Sequence, residues 1–421
     1  MSAAPSMRVL PIVCAIDVLG FGILIPLVPY MGERFGASPE LITAILGSYS
    51  LCQFIAAPLW GRLSDRYGRR PILTSSLAGA CLSYVILALA HGIGLLLLSR
   101  MIAGFMAGNL AAAFAYASDV SSPQNRARSM GTVGAAIGIG FMLGIPIGGA
   151  LAGNDAHTAD FVRPALASIA LSLIAIALVR LALPESRSPE QRRAPRVRGA
   201  RPLGLLRERA GLRSIAGAAL LVICAQGILE SIFVIWALDR FGAGPRTVGL
   251  ALFGVGLLTV LMQGGFVRVL VPRLGEARLG ACGAVAYALG LALVASGGTH
   301  LVPIAVGLAL AGLGMGAFTP SASALASKQA HARERGAVMG TYQASTSLAR
   351  VIGPFVSGYI YSTLGPGAPF LAGACIAAPA ALLILHSRRG VLPDEEEALP
   401  PEAPADATAS SRSERSTPPG R

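Results

Sequence analysis

Four ionisable side chains fall inside long apolar runs of this sequence: Asp17, Arg100, Glu230 and Arg350. Placing such a group in hydrocarbon costs about 3 kcal/mol on insertion scales unless it is paired or faces a cavity, so residues of this kind mark proton, ion or ligand pathways. Asp17 is the lone acid of the first apolar run and lies about 12 Å along it at ~1.5 Å per helical residue. A carboxyl group held away from water there can alternate between protonated and charged forms, the chemistry of a proton carrier. A capping or packing role beside Gly20 is the plainer alternative. Arg100 cannot lose its proton in practice. Glu230 follows Gln226 by four residues, which puts both on one helix face. Its plainer reading is a buried pair with Arg350. Tyr116 and Trp236 offer rings to a substrate, although single aromatics in membrane helices more often pack or anchor. No metal-ligand cluster, nucleophile–base pair or Walker-type phosphate loop is present, so neither an enzymatic reaction nor a cofactor is expected. Cys14, Cys52, Cys81, Cys224, Cys282 and Cys375 all sit in apolar runs without metal-type spacing and read as small buried side chains.

The elements that must position these groups are helices that cross a bilayer. The 421-residue chain is 54% hydrophobic and only 13% charged, far below the charge content of soluble domains. Its net charge of +13 does not point to nucleic acid, because the arginines lie between apolar runs and not on one face. Twelve runs are predicted to span: 9–31, 42–61, 71–91, 94–117, 130–152, 163–183, 213–238, 247–271, 277–297, 301–325, 337–361 and 367–386. The first is too long for a secretory leader and lacks a cleavage pattern. Loops on one side hold 21 arginines and lysines against four on the other, which predicts both termini in the cytoplasm of a multi-pass membrane protein. Four parts are expected: a six-helix bundle over 1–183, an Arg/Pro-rich cytoplasmic linker over 184–212 without a packed core, a second bundle over 213–386, and a disordered tail over 387–421.

Between the second and third runs stands Gly61-Arg62-Leu63-Ser64-Asp65-Arg66-Tyr67-Gly68-Arg69-Arg70. It resembles the loop 2–3 signature of the major facilitator superfamily. Asp17 to Pro29, with Gly20, Gly22 and Pro26 between, is similar to the first-helix signature of the twelve-helix drug:proton antiporters, including the tetracycline exporters. Arg100 with Gly104 and Gly108 resembles the fourth-helix signature. Its arginine would hold a nearby acid ionised until substrate or closure separates them. Gly144-Ile145-Pro146-Ile147-Gly148-Gly149 resembles the fifth-helix antiporter signature with its proline one place late, whereas Gly353-Pro354 keeps the family order. The resemblance implies proton coupling at Asp17, Arg100 and Glu230, and a substrate cavity lined from helix 7 by Gln226 and Glu230, with Asp17, Tyr116 and Trp236. It implies a conformational latch from Gly61, Asp65, Arg66, Gly68, Arg69 and Asp119. There Arg69 would pair with Asp119, and Asp65 would face the start of helix 11 around Gly336 to Gly340, where the helix dipole favours an acid. Gly140, Gly144, Pro146, Gly148, Gly149, Gly353 and Pro354 would let helices pack closely.

The chain also repeats itself. Arg34-Phe35-Gly36-Ala37-Ser38-Pro39 recurs as Arg240-Phe241-Gly242-Ala243-Gly244-Pro245, and Met130-Gly131-Thr132 as Met339-Gly340-Thr341. Two related bundles bury a site between them and expose it to each side in turn by rocking. The expected fold is therefore all-α: twelve transmembrane helices in two pseudo-symmetric six-helix bundles, functioning as a monomer. The expected function is proton-coupled antiport that exports a small amphipathic compound. A dedicated natural-product exporter is the nearest alternative, ahead of an uptake symporter or a non-transporting sensor. Tetracycline exporters carry further acids in helices 3 and 9. Helix 3 here offers Cys81, Ser83, Tyr84 and His91, and helix 9 offers Cys282 and Tyr287, which argues against tetracycline itself.

Overall fold

The computed structural model describes residues 6–122, 125–186, 202–330 and 334–387. The expected linker core at 187–201 and the tail at 388–421 lie outside the described residues. Among those described there is no strand. Eleven helices are long and apolar enough to cross a membrane: α1 Arg8–Arg34, α2 Pro39–Tyr67, α3 Arg69–Ala88, α4 Ile93–Asp119, α5 Arg128–Ala152, α6 Val162–Ala182, α7 Ala210–Phe241, α8 Pro245–Leu274, α9 Glu276–Ser296, α10 Leu301–Ser327 and α12 Ala368–His386. The remaining long helix, α11 Arg335–Leu364, has 30 residues. It falls short of that apolar standard because Gln343, Ser345, Thr346, Ser347 and Arg350 ride on it. Several spans break where the chemistry requires it. Helix α1 is interrupted before Leu27 at Pro26, which has no N–H to give. Helix α8 widens into a π turn over Met262–Phe266, around Gly264 and Gly265.

Within each half, glycines set the helix spacing. A Cβ at Gly140, Gly144 or Gly148 of α5 would lie 2.3, 2.5 or 1.9 Å from the carbonyl oxygens of Ala15, Leu19 and Ile23 on α1. One glycine per helical turn thus lets the two backbones touch. The contact repeats in the other half. A Cβ on Gly22 would lie 3.3 Å from the Cα of Gly144, and one on Gly227 of α7 would lie 3.4 Å from the Cα of Gly353, with Pro354 Cδ at 3.2 Å. Gly149 behaves differently, meeting Pro245 and Arg246 of α8 across the halves.

The halves meet through two symmetry-related pairs, α2 with α11 and α5 with α8. Both pairs are joined at the end opposite the chain termini. There Gly358 packs on Thr43 and Glu40, Gly47 on Phe355, and Gly244 on Asn154. The Tyr30 hydroxyl donates to Ala243 O at 2.7 Å, and Arg246 N–H donates to Gly153 O at 3.2 Å. At the terminal end the helices part. Among the described residues, Gly61 of α2, Gly131, Gly134 and Gly138 of α5, Gly264 and Gly265 of α8, and Gly336 and Gly340 of α11 have no atom beyond their own stretch of helix within 4 Å of where a Cβ would sit. The molecule is a V, closed at one end and cleft at the other.

One expectation is corrected. The segment 184–212 is not wholly without packing. A short helix, Pro202–Glu208, precedes α7, and its Leu205 is buried with Leu212, Ala330 and Val338. The sequence there mixes arginines with a Leu-rich turn, and the apolar residues find a small core that composition alone concealed.

Candidate functional site

The first wall of the cleft comes from α1, α2 and α5. Phe21, one turn beyond Asp17, stacks on Tyr49 with ring centroids 4.5 Å apart and planes at 20°, and Phe141 stands at 6.4 Å from Phe21. Behind them Arg100 is buried, with its Nε 3.4 Å from Ser99 Oγ. Its Nη2 has no hydrogen-bond partner among the described residues. Tyr49 and the buried Tyr84 of α3 both lie within electrostatic reach of Asp17 and of Arg100. An acid and a fixed cation thus share an environment with two phenols.

The second wall comes from α7, α9 and α11. Helix α7 is buried along nearly its whole length, and Glu230 is its only exposed residue between Arg213 and Asp239. Water reaches it through the cleft. Gln226 Nε2 donates to Glu230 Oε1 at 2.7 Å, as their four-residue spacing requires. Behind Glu230 sits Tyr287, whose buried hydroxyl has no partner among the described residues. Arg350 feels the charge of Glu230, but no Glu230–Arg350 ion pair forms within 4.0 Å.

At the terminal end a second cluster surrounds the α2–α3 turn. Gly68 adopts φ 105° there, a conformation that favours glycine. Arg69, buried at the start of α3, meets Asp65 at 2.8 Å and Asp119 at 3.1 Å, and donates to Ser64 Oγ at 2.6 Å. Glu185 caps α3 by accepting from the backbone N–H of Arg69 at 2.8 Å and of Arg70 at 3.2 Å. The second half carries the same pair with its signs exchanged. Glu276, first in α9 after the positive-φ Gly275, takes the place of Arg69, and Lys328 takes the place of Asp119, with 2.6 Å between them.

A cleft between two glycine-zipped six-helix halves, with this turn at its mouth, agrees with the comparisons of sequence and fold. The sequence model of the major facilitator superfamily matches residues 12–279 and 215–418. The chain belongs to the major facilitator superfamily. The class G tetracycline resistance protein of Vibrio anguillarum is 32% identical over 359 residues, which is 83% of this chain and 89% of that protein. Major facilitator superfamily domain-containing protein 10 of Bos taurus is 29% identical over 436 residues, 91% of this chain and 92% of the relative. The crystal structure of the human organic anion transporter MFSD10 (TETRAN) superposes with a TM-score of 0.68 at 23% identity, covering 91% of this chain and 100% of that one. Within the superfamily, similarity to the tetracycline resistance proteins groups this transporter with the drug:proton antiporters. It is not an enzyme.

Among the predicted site residues of this facilitator, Asp17, Gln226 and Glu230 line the cleft, and Arg100 lies just behind it. Tyr116 and Trp236 do not. Tyr116 is fully buried in the first half, and its hydroxyl donates to Pro184 O at 2.8 Å. Trp236 is buried among Phe233, Phe241 and Phe370. Both rings complete a core, so neither offers a face to a substrate here. Phe21, Tyr49 and Phe141 went unnoticed in the sequence, although Phe21 at four residues from Asp17 carried a helical-face signal. Glu185 was also missed; its signal was an acid closely following the end of the sixth run.

The resemblance implies that Asp65 would face the start of α11 when the terminal end closes. Asp65→Asn is expected to weaken that closed form by the worth of a carboxylate at a helix N-terminus, ~0.3–2 kcal/mol, or roughly two- to thirtyfold in population. A cysteine placed at Gly340 in a cysteine-free background reports it. Maleimide labelling under conditions that close this end in the unmutated chain should rise; unchanged labelling with normal transport would remove the latch role.

Proposed function

We propose that this transporter exports a small amphipathic organic compound in exchange for protons, by alternating access. The halves 1–183 and 213–386 rock about the α2–α11 and α5–α8 contacts. The observation that carries the reading is the cleft itself. It is open at one end only, and along it Asp17 and the buried Arg100 both lie within electrostatic reach of Tyr49 and Tyr84. In this mechanism Arg100 stabilises the ionised Asp17 while substrate loads. Substrate and proton occupy the carrier alternately, and Glu230 with Gln226 supplies polar contact from the opposite wall. The open end is the cytoplasmic one, because the arginine-rich loops lie there. The protein acts as a monomer with both termini in the cytoplasm, in a bacterial inner or plasma membrane.

The relatives' names concern tetracycline resistance and organic anion transport, and this chain's own residues bear on the choice. Helix α3 carries no acid, and α9 none beyond Glu276, which pairs with Lys328 at its terminal end; this supports a substrate other than tetracycline. The test uses inverted vesicles from a host stripped of its main efflux pumps and energised to an acid interior. A panel of antibiotics, dyes and secreted metabolites is added, and internal pH and uptake are followed. At least one compound should accumulate and release protons above the empty-vector level. Accumulation that ignores the proton gradient would overturn antiport, and no accumulation of any compound would overturn export.

A further inference from the structure

Arg350 stands on α11 with neither a hydrogen bond nor an ion pair among the described residues, yet it is exposed in the interior of a membrane protein. Its position is defined from several sides. Ala349 and Gly353, which flank it, face Gly227 of α7, and its charge reaches Tyr49 of α2, Tyr342 of α11 and Glu230 of α7. Phe355, about 7.5 Å further along the helix at 1.5 Å per residue, plugs the closed end against Gly47. Arg350 therefore points into the cleft just inside the α2–α11 seal. Gln343 lies two turns before it and Ser347 one turn before, on the same face of α11. The acid nearest in kind, Glu230, is hydrogen-bonded to Gln226 and does not reach the guanidinium.

From this arrangement we infer that Arg350 is the anion-binding group of the substrate site and that the transported compound is an aromatic organic anion. This deepens the exporter reading and rests on it. The flat stack of Phe21 on Tyr49, with Phe141 beside it, receives the ring system. The guanidinium across the cleft receives a carboxylate or similar planar anion through its paired N–H donors. While the cleft is open, water satisfies Arg350. Closing the terminal end removes that water and leaves a cation to be paired in a low-dielectric interior, which is costly without a counter-ion. A bound anion supplies the counter-ion when the carrier is loaded. In the empty carrier Glu230, already within electrostatic reach, moves from Gln226 to Arg350. The same cation thus serves both the loaded and the returning form.

Calorimetric titration of the purified full-length protein with three probes sharing one ring system tests the assignment: 2-naphthoate, neutral 2-naphthamide and cationic 2-naphthylmethylammonium. The unmutated protein should bind naphthoate at least tenfold more tightly than the amide. Arg350→Gln should weaken naphthoate by about ten- to hundredfold, the worth of a charge-assisted hydrogen bond, and leave the amide within twofold. Arg350→Lys keeps the charge and should restore most of the loss, while Glu230→Gln, which removes a competing anion, should strengthen naphthoate. Equal binding of acid and amide, preference for the cation, or no binding of any probe overturns the proposal on the unmutated protein alone, whatever the variants do. Arg350-dependent binding of naphthoate without vesicle efflux leaves the anion site standing and removes the exporter reading. Proton-coupled efflux with no Arg350-dependent binding does the reverse.

Discussion

Asp17→Asn is expected to uncouple transport from the proton gradient while leaving the protein folded and inserted. Asparagine keeps the size and hydrogen-bonding reach of the side chain but cannot carry a proton. One pH unit is worth about 1.4 kcal/mol, so a one-for-one exchanger held at zero membrane potential sustains roughly a tenfold concentration ratio per unit. In reconstituted vesicles the unmutated chain should approach that ratio, whereas Asp17→Asn should settle near one. Exchange of labelled for unlabelled substrate across the same vesicles needs no proton step and should survive in the variant. Should the variant accumulate substrate as well as the unmutated chain does, another group carries the proton. Tyr49 and Tyr84, the phenols within electrostatic reach of both Asp17 and Arg100, would then be the first places to look.

The second large effect belongs to Gly244. A Cβ there would sit 1.6 Å from the carbonyl oxygen of Asn154 and 2.4 Å from its carbon, both backbone atoms of the other half. The backbone of Gly244 is ordinary extended chain, φ −78° and ψ 172°, so a side chain introduces no local strain. The clash exists only while the halves touch at this end. Gly244→Val should therefore fold and insert but be driven out of the form described above. Overpacking costs about 1–3 kcal/mol, which shifts the two forms by roughly five- to 150-fold. Maleimide labelling of a cysteine placed at Gly134, inside the open cleft, should fall accordingly, and transport should stop. Gly148→Val provides the contrast. Its Cβ would lie 1.9 Å from Ile23 O within one half, a contact present in every form, so that variant should lose folded protein altogether. Normal labelling and transport by Gly244→Val would mean that the halves do not need this contact to close.

The membrane class, the spans, the two halves and the charged candidates were legible in the amino-acid sequence because each is a local property. Twenty apolar residues span a bilayer wherever they occur. An arginine between two spans biases topology without reference to any neighbour, and Gly144 and Gly353 announce the repeat through spacing alone. Asp17 and Glu230 stood out because an ionisable group in an apolar run is costly in any fold. The tertiary structure decided what each face of those helices meets. Helix α7 is buried nearly all round, so no polar stripe could reveal that Glu230 is its opening to the cleft. Nor could sequence separate Trp236, closed in by Phe233, Phe241 and Phe370, from Tyr49, whose ring stacks on Phe21 beside Asp17. Both are lone aromatics in apolar runs, and only the packing of distant segments distinguishes core from cavity. The same holds for charge. Arg350 and Glu230 could have been a pair, and Arg69 with Asp119 and Glu276 with Lys328 are pairs, because ion pairing depends on distances set by several helices together. Which end of the molecule stands open likewise follows from contacts between residues some 90 to 320 positions apart, such as Asn154 with Gly244 and Glu40 with Gly358, and no local pattern encodes it.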